Sequence, residues 1–172
     1  TVSGNGYGKT GWFKYILAAK GAVLDIEIDP ADMLQPNEQS VGAYYPAKDE
    51  VLFLNGTRVV EYNAEGATDK TVDLRLGLTE KEDIGEAFEW KEFMPEEYNY
   101  TTLIYTGIKN AELGVLNIDK KQIELYSFDK GFFTRIIKLP EDAPVESTFN
   151  FAYTNGLYWL FNMETRKWIA YK

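Results

Sequence analysis

Apolar and polar residues alternate with a period of two along much of the chain. In Val23-Leu24-Asp25-Ile26-Glu27-Ile28, Leu24, Ile26 and Ile28 fall on one face and Asp25, Glu27 and Asp29 on the other. That is the pattern of a strand with one buried and one wet face. Gln122-Ile123-Glu124-Leu125 repeats it. Such segments are short and end in turn-formers: Asn55-Gly56 after Leu52-Phe53, Asn63-Ala64-Glu65-Gly66 after Tyr62, and Ser127-Phe128-Asp129-Lys130-Gly131 after Tyr126. Glycine supplies the positive φ of a tight hairpin. One stretch departs from the pattern. Residues 76–98 are acidic, Ile84, Ala87 and Phe88 recur at i, i+3, i+4, and Thr79 with Glu82 fits a capping box. This predicts a short helix near 80–90, closed by Pro95. Everything else predicts strand and turn.

The hairpins recur. Leu52-Phe53 leads to Thr57-Arg58 and ends at Glu61-Tyr62; Leu160-Phe161 leads to Thr165-Arg166 and ends at Ala170-Tyr171. A looser copy runs from Val115-Leu116 to Glu124-Leu125-Tyr126. Phe53 to Tyr62 spans 9 positions, whereas Leu116 to Tyr126 and Phe161 to Tyr171 each span 10. A changed hairpin turn accounts for the difference of one. A further apolar run precedes each hairpin: Val41 to Tyr45, Thr102 to Tyr105, and Phe149 to Tyr153. The unit is thus four short strands, with copies over 40–75, 100–140 and 148–171, the last without its fourth strand. N-terminal strands over 11–29 supply a matching piece, since Gly21 to Pro30 and Gly131 to Pro140 have the same spacing.

Four-stranded units at such intervals are the sequence signature of a β-propeller. Ile123-Glu124-Leu125-Tyr126-Ser127-Phe128-Asp129-Lys130-Gly131, followed by Arg135-Ile136-Ile137-Lys138-Leu139, resembles the outer hairpin of a blade in the bacterial NHL-like and TolB-like six-bladed propellers. Ala43-Tyr44-Tyr45, Glu50 to Gly56 and Val60-Glu61-Tyr62 resemble one repeat of the hemopexin-like four-bladed propellers. The resemblance covers about two thirds of the chain. It implies an all-β fold of propeller-type four-stranded antiparallel blades forming a single domain over 1–172, in a secreted, periplasmic or cell-surface setting. Two complete units and two partial ones do not close a ring, which takes about 4–8 blades. Either a further blade lies in 1–40 and 76–98, or the chain is part of a larger propeller or a homo-oligomer. The alternative fold is a closed lipocalin-like β-barrel built from the same strands.

Composition narrows the chemistry. Apolar residues make up 45% of the 172, enough for a core, which excludes a wholly disordered chain. The chain has no Cys and no His. That removes disulfide scaffolds, thiolate metal sites, Ser-His-Asp triads and histidine bases. A net charge of −9 repels phosphate backbones, so nucleic acid is not an expected partner. Apolar runs stay short of the 18 residues a membrane helix needs, so no membrane insertion is expected. The start at Thr1-Val2-Ser3-Gly4, without Met or a basic-then-apolar leader, leads to the expectation of a processed or trimmed chain. Asn55-Gly56-Thr57 and Asn99-Tyr100-Thr101 fit the glycosylation acceptor pattern, at a frequency chance alone supplies.

Candidate sites follow from what remains. Ser3 to Thr10 ends like a phosphate-binding loop, but Ser3 stands where the first Gly belongs and no strand precedes it. Asp25, Glu27, Asp29 and Asp32 have the alternation that would offer oxygens to a hard cation; charge protecting a sheet edge is the plainer reading. Paired carboxylates hydrolyse glycosides, but with 27 acids no pair stands out. Aromatics are the strongest signal. Tyr44, Tyr45, Tyr105 and Tyr153 lie on first strands of the units and Trp90 in the irregular connection, where exposed rings stack on sugars or anchor a protein partner. Trp159 and Trp168 are expected in the core. The resulting expectation is a non-enzymatic binding module for a protein partner or carbohydrate, without cofactor or metal. Its alternatives are a structural part of a larger assembly and a carboxylate-based glycan hydrolase or lyase.

Overall fold

The structure is a computed structural model that describes residues 2–6, 9–28, 41–63, 65–80 and 97–172. Trp90, Asp29 and Asp32 lie outside them, as does nearly all of the helix expected near 80–90; of Asp25 and Glu27 only the backbone is described. The described residues are all-β and contain no helix, hence none long and apolar enough to cross a membrane.

Four antiparallel sheets follow one another along the chain. The first is β1 (Val2–Gly6), β2 (Lys9–Ala18) and β3 (Gly21–Ile28). The second is β4 (Ala43–Tyr45), β5 (Glu50–Asn55), β6 (Arg58–Tyr62) and β7 (Thr68–Asp73). The third is β8 (Ile104–Tyr105), β9 (Leu113–Asn117), β10 (Gln122–Tyr126) and β11 (Phe133–Lys138). The fourth is β12 (Phe151–Thr154), β13 (Leu157–Asn162) and β14 (Lys167–Tyr171). Within each sheet the strands lie in chain order, each pairing with the next.

No sheet closes on itself, so the lipocalin-like barrel is not the fold of these residues. The side chains show why. A barrel wall has one lumenal and one outer face, whereas the third sheet is apolar on both. Leu113, Val115 and Tyr126 pack towards the second sheet against Leu52, Leu54, Val59 and Val72. Ile104, Leu116, Ile123 and Leu125 pack towards the fourth against Phe151, Tyr158 and Leu160. Each of these aliphatic side chains is essentially sealed from water, which stabilises by about 1.5–3 kcal/mol apiece. Sheets with two apolar faces stack as layers.

The layers are also joined through the backbone. Val41 bridges to Thr102 and Arg75 to Phe132, both in parallel sense. Arg75 N–H donates to Gly131 O at 2.8 Å. Gly131 has φ +72°, and a Cβ there would stand 2.2 Å from Asp73 O. The close approach of the second and third sheets therefore requires glycine at this position. At the opposite edge β8 lies beside both β4 and β12, so the first strands of three successive sheets gather.

The register corrects one detail of the hairpin comparison. Val51 pairs with Tyr62, Leu113 with Tyr126, and Tyr158 with Tyr171. The β5–β6 loop has two residues, starting with Gly56 at φ +61°, whereas the other two loops have four, ending in Lys121 at φ +46° and Arg166 at φ +53°. The length difference is two residues, not one. Phe53 shares a face with Tyr62, but the residues that share a face with Tyr126 and Tyr171 are Val115 and Leu160, not Leu116 and Phe161. The matching Leu-Phe-x-x-x-Thr-Arg strings thus sit on opposite faces of their sheets, because side chains alternate and an odd slip inverts them. Trp168, expected in the core, is 48% exposed.

Candidate functional site

The gathered first strands β4, β8 and β12 border an open cavity of about 450 Å³. Tyr44, Tyr105 and Tyr153 line it, with Thr102, Pro46 and Phe151 among the other walls. The three tyrosines hold one register position: Tyr44 pairs with Val51, Tyr105 with Leu113, and Tyr153 with Tyr158. Each is thus one strand removed from the residue that pairs with Tyr62, Tyr126 or Tyr171. Successive sheets repeat the position, and stacking carries it around the cavity.

Their surroundings differ. Tyr44 is 57% exposed and its hydroxyl donates to Asp49 Oδ1 at 2.9 Å. That bond to a carboxylate holds the phenol above its ordinary value. Burial, with the nearby Tyr45 and Glu112, does the same for Tyr105. Tyr153 leans on Tyr158, ring centroids 4.9 Å apart. Both upward shifts keep the Tyr44 and Tyr105 phenols neutral at physiological pH. The three rings offer flat apolar faces and hydroxyls that donate or accept. Tyr45 is absent from the cavity lining. Adjacent strand residues face opposite ways, and its ring packs at 5.0 Å on Tyr105 and 5.5 Å on Phe128, bracing the cavity wall from behind. Of the five aromatics singled out from sequence, the structure brings three to one cavity, sets Tyr45 behind it, and leaves Trp90 outside the described residues.

Two buried carboxylate sites were not legible in the sequence. Glu124, 2% exposed, sits between the second and third sheets. Its Oε1 accepts from Asn117 Nδ2 (2.9 Å) and Gln122 Nε2 (2.6 Å), and its Oε2 from the hydroxyls of Tyr98 (3.0 Å) and Tyr126 (2.6 Å). Four donors satisfy it, which is how a buried charge is tolerated. Burial, followed by the Glu124 charge, raises the Tyr126 phenol strongly, keeping it a donor. The second site holds Glu50 on β5 and Glu61 on β6, 7% and 1% exposed. Beyond Lys48 and the two carboxyls themselves, no group donates a hydrogen bond to Glu50 Oε2 or to either Glu61 oxygen. Lys48 Nζ lies 3.8 Å from Glu50 and 3.1 Å from Glu61 while donating to Asp69 at 2.8 Å. A proton shared with Glu61, together with burial, raises Glu50 to about 7. Neither glutamate lines the aromatic cavity.

Asn99 of the second glycosylation pattern is fully buried. Its side-chain oxygen accepts from Thr101 N and Thr102 N, each at 3.1 Å, fixing the entry to β8. No protein-family model matches the chain, and no curated protein matches it significantly.

Proposed function

We propose that the chain is a propeller-type, non-enzymatic recognition module that binds a carbohydrate at the cavity between β4, β8 and β12. The single observation that carries this reading is the register coincidence of Tyr44, Tyr105 and Tyr153 on one concavity. A space of about 450 Å³ suits a ligand of one or a few sugar rings, in the size range of small-molecule sites. Tyrosine rings stack on the C–H faces of sugars, while their hydroxyls exchange hydrogen bonds with the ring substituents. A protein partner would engage a larger area, about 800 Å² per side. A glycan array on the folded chain, followed by calorimetry on the best hit, tests the proposal. Tyr44→Ala and Tyr153→Ala should each weaken binding about tenfold or more, as loss of a stacked ring does. An array at background, or a hit indifferent to both substitutions, rejects it; capture of a protein that survives Tyr153→Ala points to a surface elsewhere.

A second reading, participation in a larger ring or oligomer, is favoured by the fourth sheet. It has three strands where the second and third have four. Its outer face carries Phe161 and the exposed Trp168, centroids 5.3 Å apart. Solution scattering that returns a compact monomer at all concentrations removes this reading.

A further inference from the structure

We propose that Glu50, Glu61 and Asp69, on three neighbouring strands of the second sheet, form a Ca²⁺-type cation site from which the ion displaces the Lys48 ammonium. One carboxylate oxygen from each residue lies within 4.8 Å of the other two. Ligands around Ca²⁺ at 2.3–2.6 Å are up to about 5 Å apart, so the three oxygens converge to within its coordination range. Mg²⁺ demands near-ideal octahedral geometry at 2.0–2.1 Å and gives up its waters reluctantly, so a cluster of three carboxylates suits it less well. The donors are all oxygen, the set a hard cation selects.

The backbone builds the convergence. Glu61 pairs with Lys70, but Tyr62 pairs with Thr68, so Asp69 is the extra residue of a β-bulge. A bulge re-aims a side chain, and here Asp69 reaches the same Lys48 ammonium as Glu50 and Glu61. Glu61 independently points to a missing ligand. It is 1% exposed, and apart from the Lys48 ammonium at 3.1 Å no group outside the three carboxyls donates to either of its oxygens. Glu124 in the neighbouring sheet, equally buried, has four donors. Lys48 is the one cation among these three carboxyl groups. The nearby Lys70 is committed elsewhere, its ammonium donating to Phe128 O at 3.2 Å and lying over the Phe128 ring. Lys48 is on the β4–β5 turn and its side chain is 45% exposed, so it swings into water without disturbing the sheet. Asp69, similarly exposed, leaves room for water ligands.

The site is separate from the aromatic cavity, so carbohydrate binding and cation binding fail independently. Calorimetry with CaCl₂ and MgCl₂ on the metal-stripped full chain tests it. Tyrosine-sensitised Tb³⁺ emission reports locally, because Tyr45 is the register partner of Glu50. One saturable Ca²⁺ site is expected, with Kd about 10⁻⁴–10⁻³ M and Mg²⁺ at least about tenfold weaker. Asp69→Asn should weaken Ca²⁺ about tenfold or more, and Lys48→Gln should tighten it by a similar factor by removing the competing cation. Both substitutions are at exposed positions, and circular dichroism verifies the fold. Lack of saturation by about 10 mM Ca²⁺, well above that range, overturns the proposal, and so does a Kd that neither variant moves.

Discussion

Glu50 should make the protein less stable as pH rises across neutrality, and Glu50→Gln should abolish that loss. The carboxyl faces Glu61 from β6, Lys48 from the β4–β5 turn and Asp69 from β7, with Lys70 beyond, bonded to Phe128 O. The shared proton with Glu61 and burial raise it from 4.5 to about 7. The folded state therefore holds a proton that the unfolded chain releases at ordinary carboxyl pH. The resulting stabilisation is complete below pH 4.5 and is lost as pH rises through about 7. At 1.36 kcal/mol per unit the whole shift amounts to about 3 kcal/mol. Lys48 and Asp69, both about half-exposed, open the site to solvent, and screening reduces the figure to about 1–2 kcal/mol. The window is unusually clean because the chain has no His, the side chain that normally titrates there. Urea unfolding between pH 5 and 8.5, in EDTA to exclude cations, measures the effect. Wild type should lose about 1–2 kcal/mol relative to Glu50→Gln over that range. Parallel profiles, or a wild type that gains on the variant as pH rises, refute the shared-proton account.

Two further outcomes concern the joints between sheets. Gly131→Ala should destabilise by about 2–4 kcal/mol in equilibrium unfolding, since it adds positive-φ strain to a methyl placed 2.2 Å from Asp73 O; a cost below about 1 kcal/mol would mean the second and third sheets separate easily. Glu124→Ala leaves the hydroxyls of Tyr98 and Tyr126 and the amides of Asn117 and Gln122 without their shared acceptor. It should cost about 3–5 kcal/mol in the same assay, against about 1 kcal/mol for the exposed Glu65→Ala.

The strands were legible because period-two alternation follows directly from the pleat, and turn residues marked their ends. Register was not. Leu116 and Val115 are both apolar, and only pairing with Tyr126 shows which faces the second sheet. The same ambiguity let the Leu-Phe-x-x-x-Thr-Arg strings align residues from opposite faces. Tyr44, Tyr105 and Tyr153 were readable as a group because they sit on the first strand of each unit. Tyr45 was grouped with them although a one-residue step sends its ring behind the cavity wall. Glu61 and Glu124 were invisible for a different reason. An acid in an alternating strand marks a solvated face when one side of a sheet is wet. Here the second and third sheets are covered on both sides, so the polar position of the alternation becomes a buried one. Asp69 joins Glu61 only through the bulge, which no local pattern of residues announces.

The stacking has a direction, and this bears on where assembly would occur. Tyr62, Tyr126 and Tyr171 all lie on the face of their sheet opposite to the one that meets the next sheet along the chain: Tyr126 meets the second sheet and Tyr171 the third. On the second sheet that face, with Phe53, Val60 and Tyr62, is already buried. The corresponding forward face is filled on the second and third sheets by Leu52, Val59, Leu116 and Leu125, all sealed from water. On the fourth it carries Phe161 and Trp168 instead, with Trp168 exposed and Trp159 Nε1 buried without a hydrogen-bond partner. Among the described residues, the same sheet geometry is thus buried at the backward end of the stack and exposes Trp168 at the forward end. Covering Trp168 would remove apolar area from water, which drives association. A larger ring or oligomer would therefore grow from β13 and β14, and substitution at Trp168, rather than at Tyr62, is the change that separates assembly from folding.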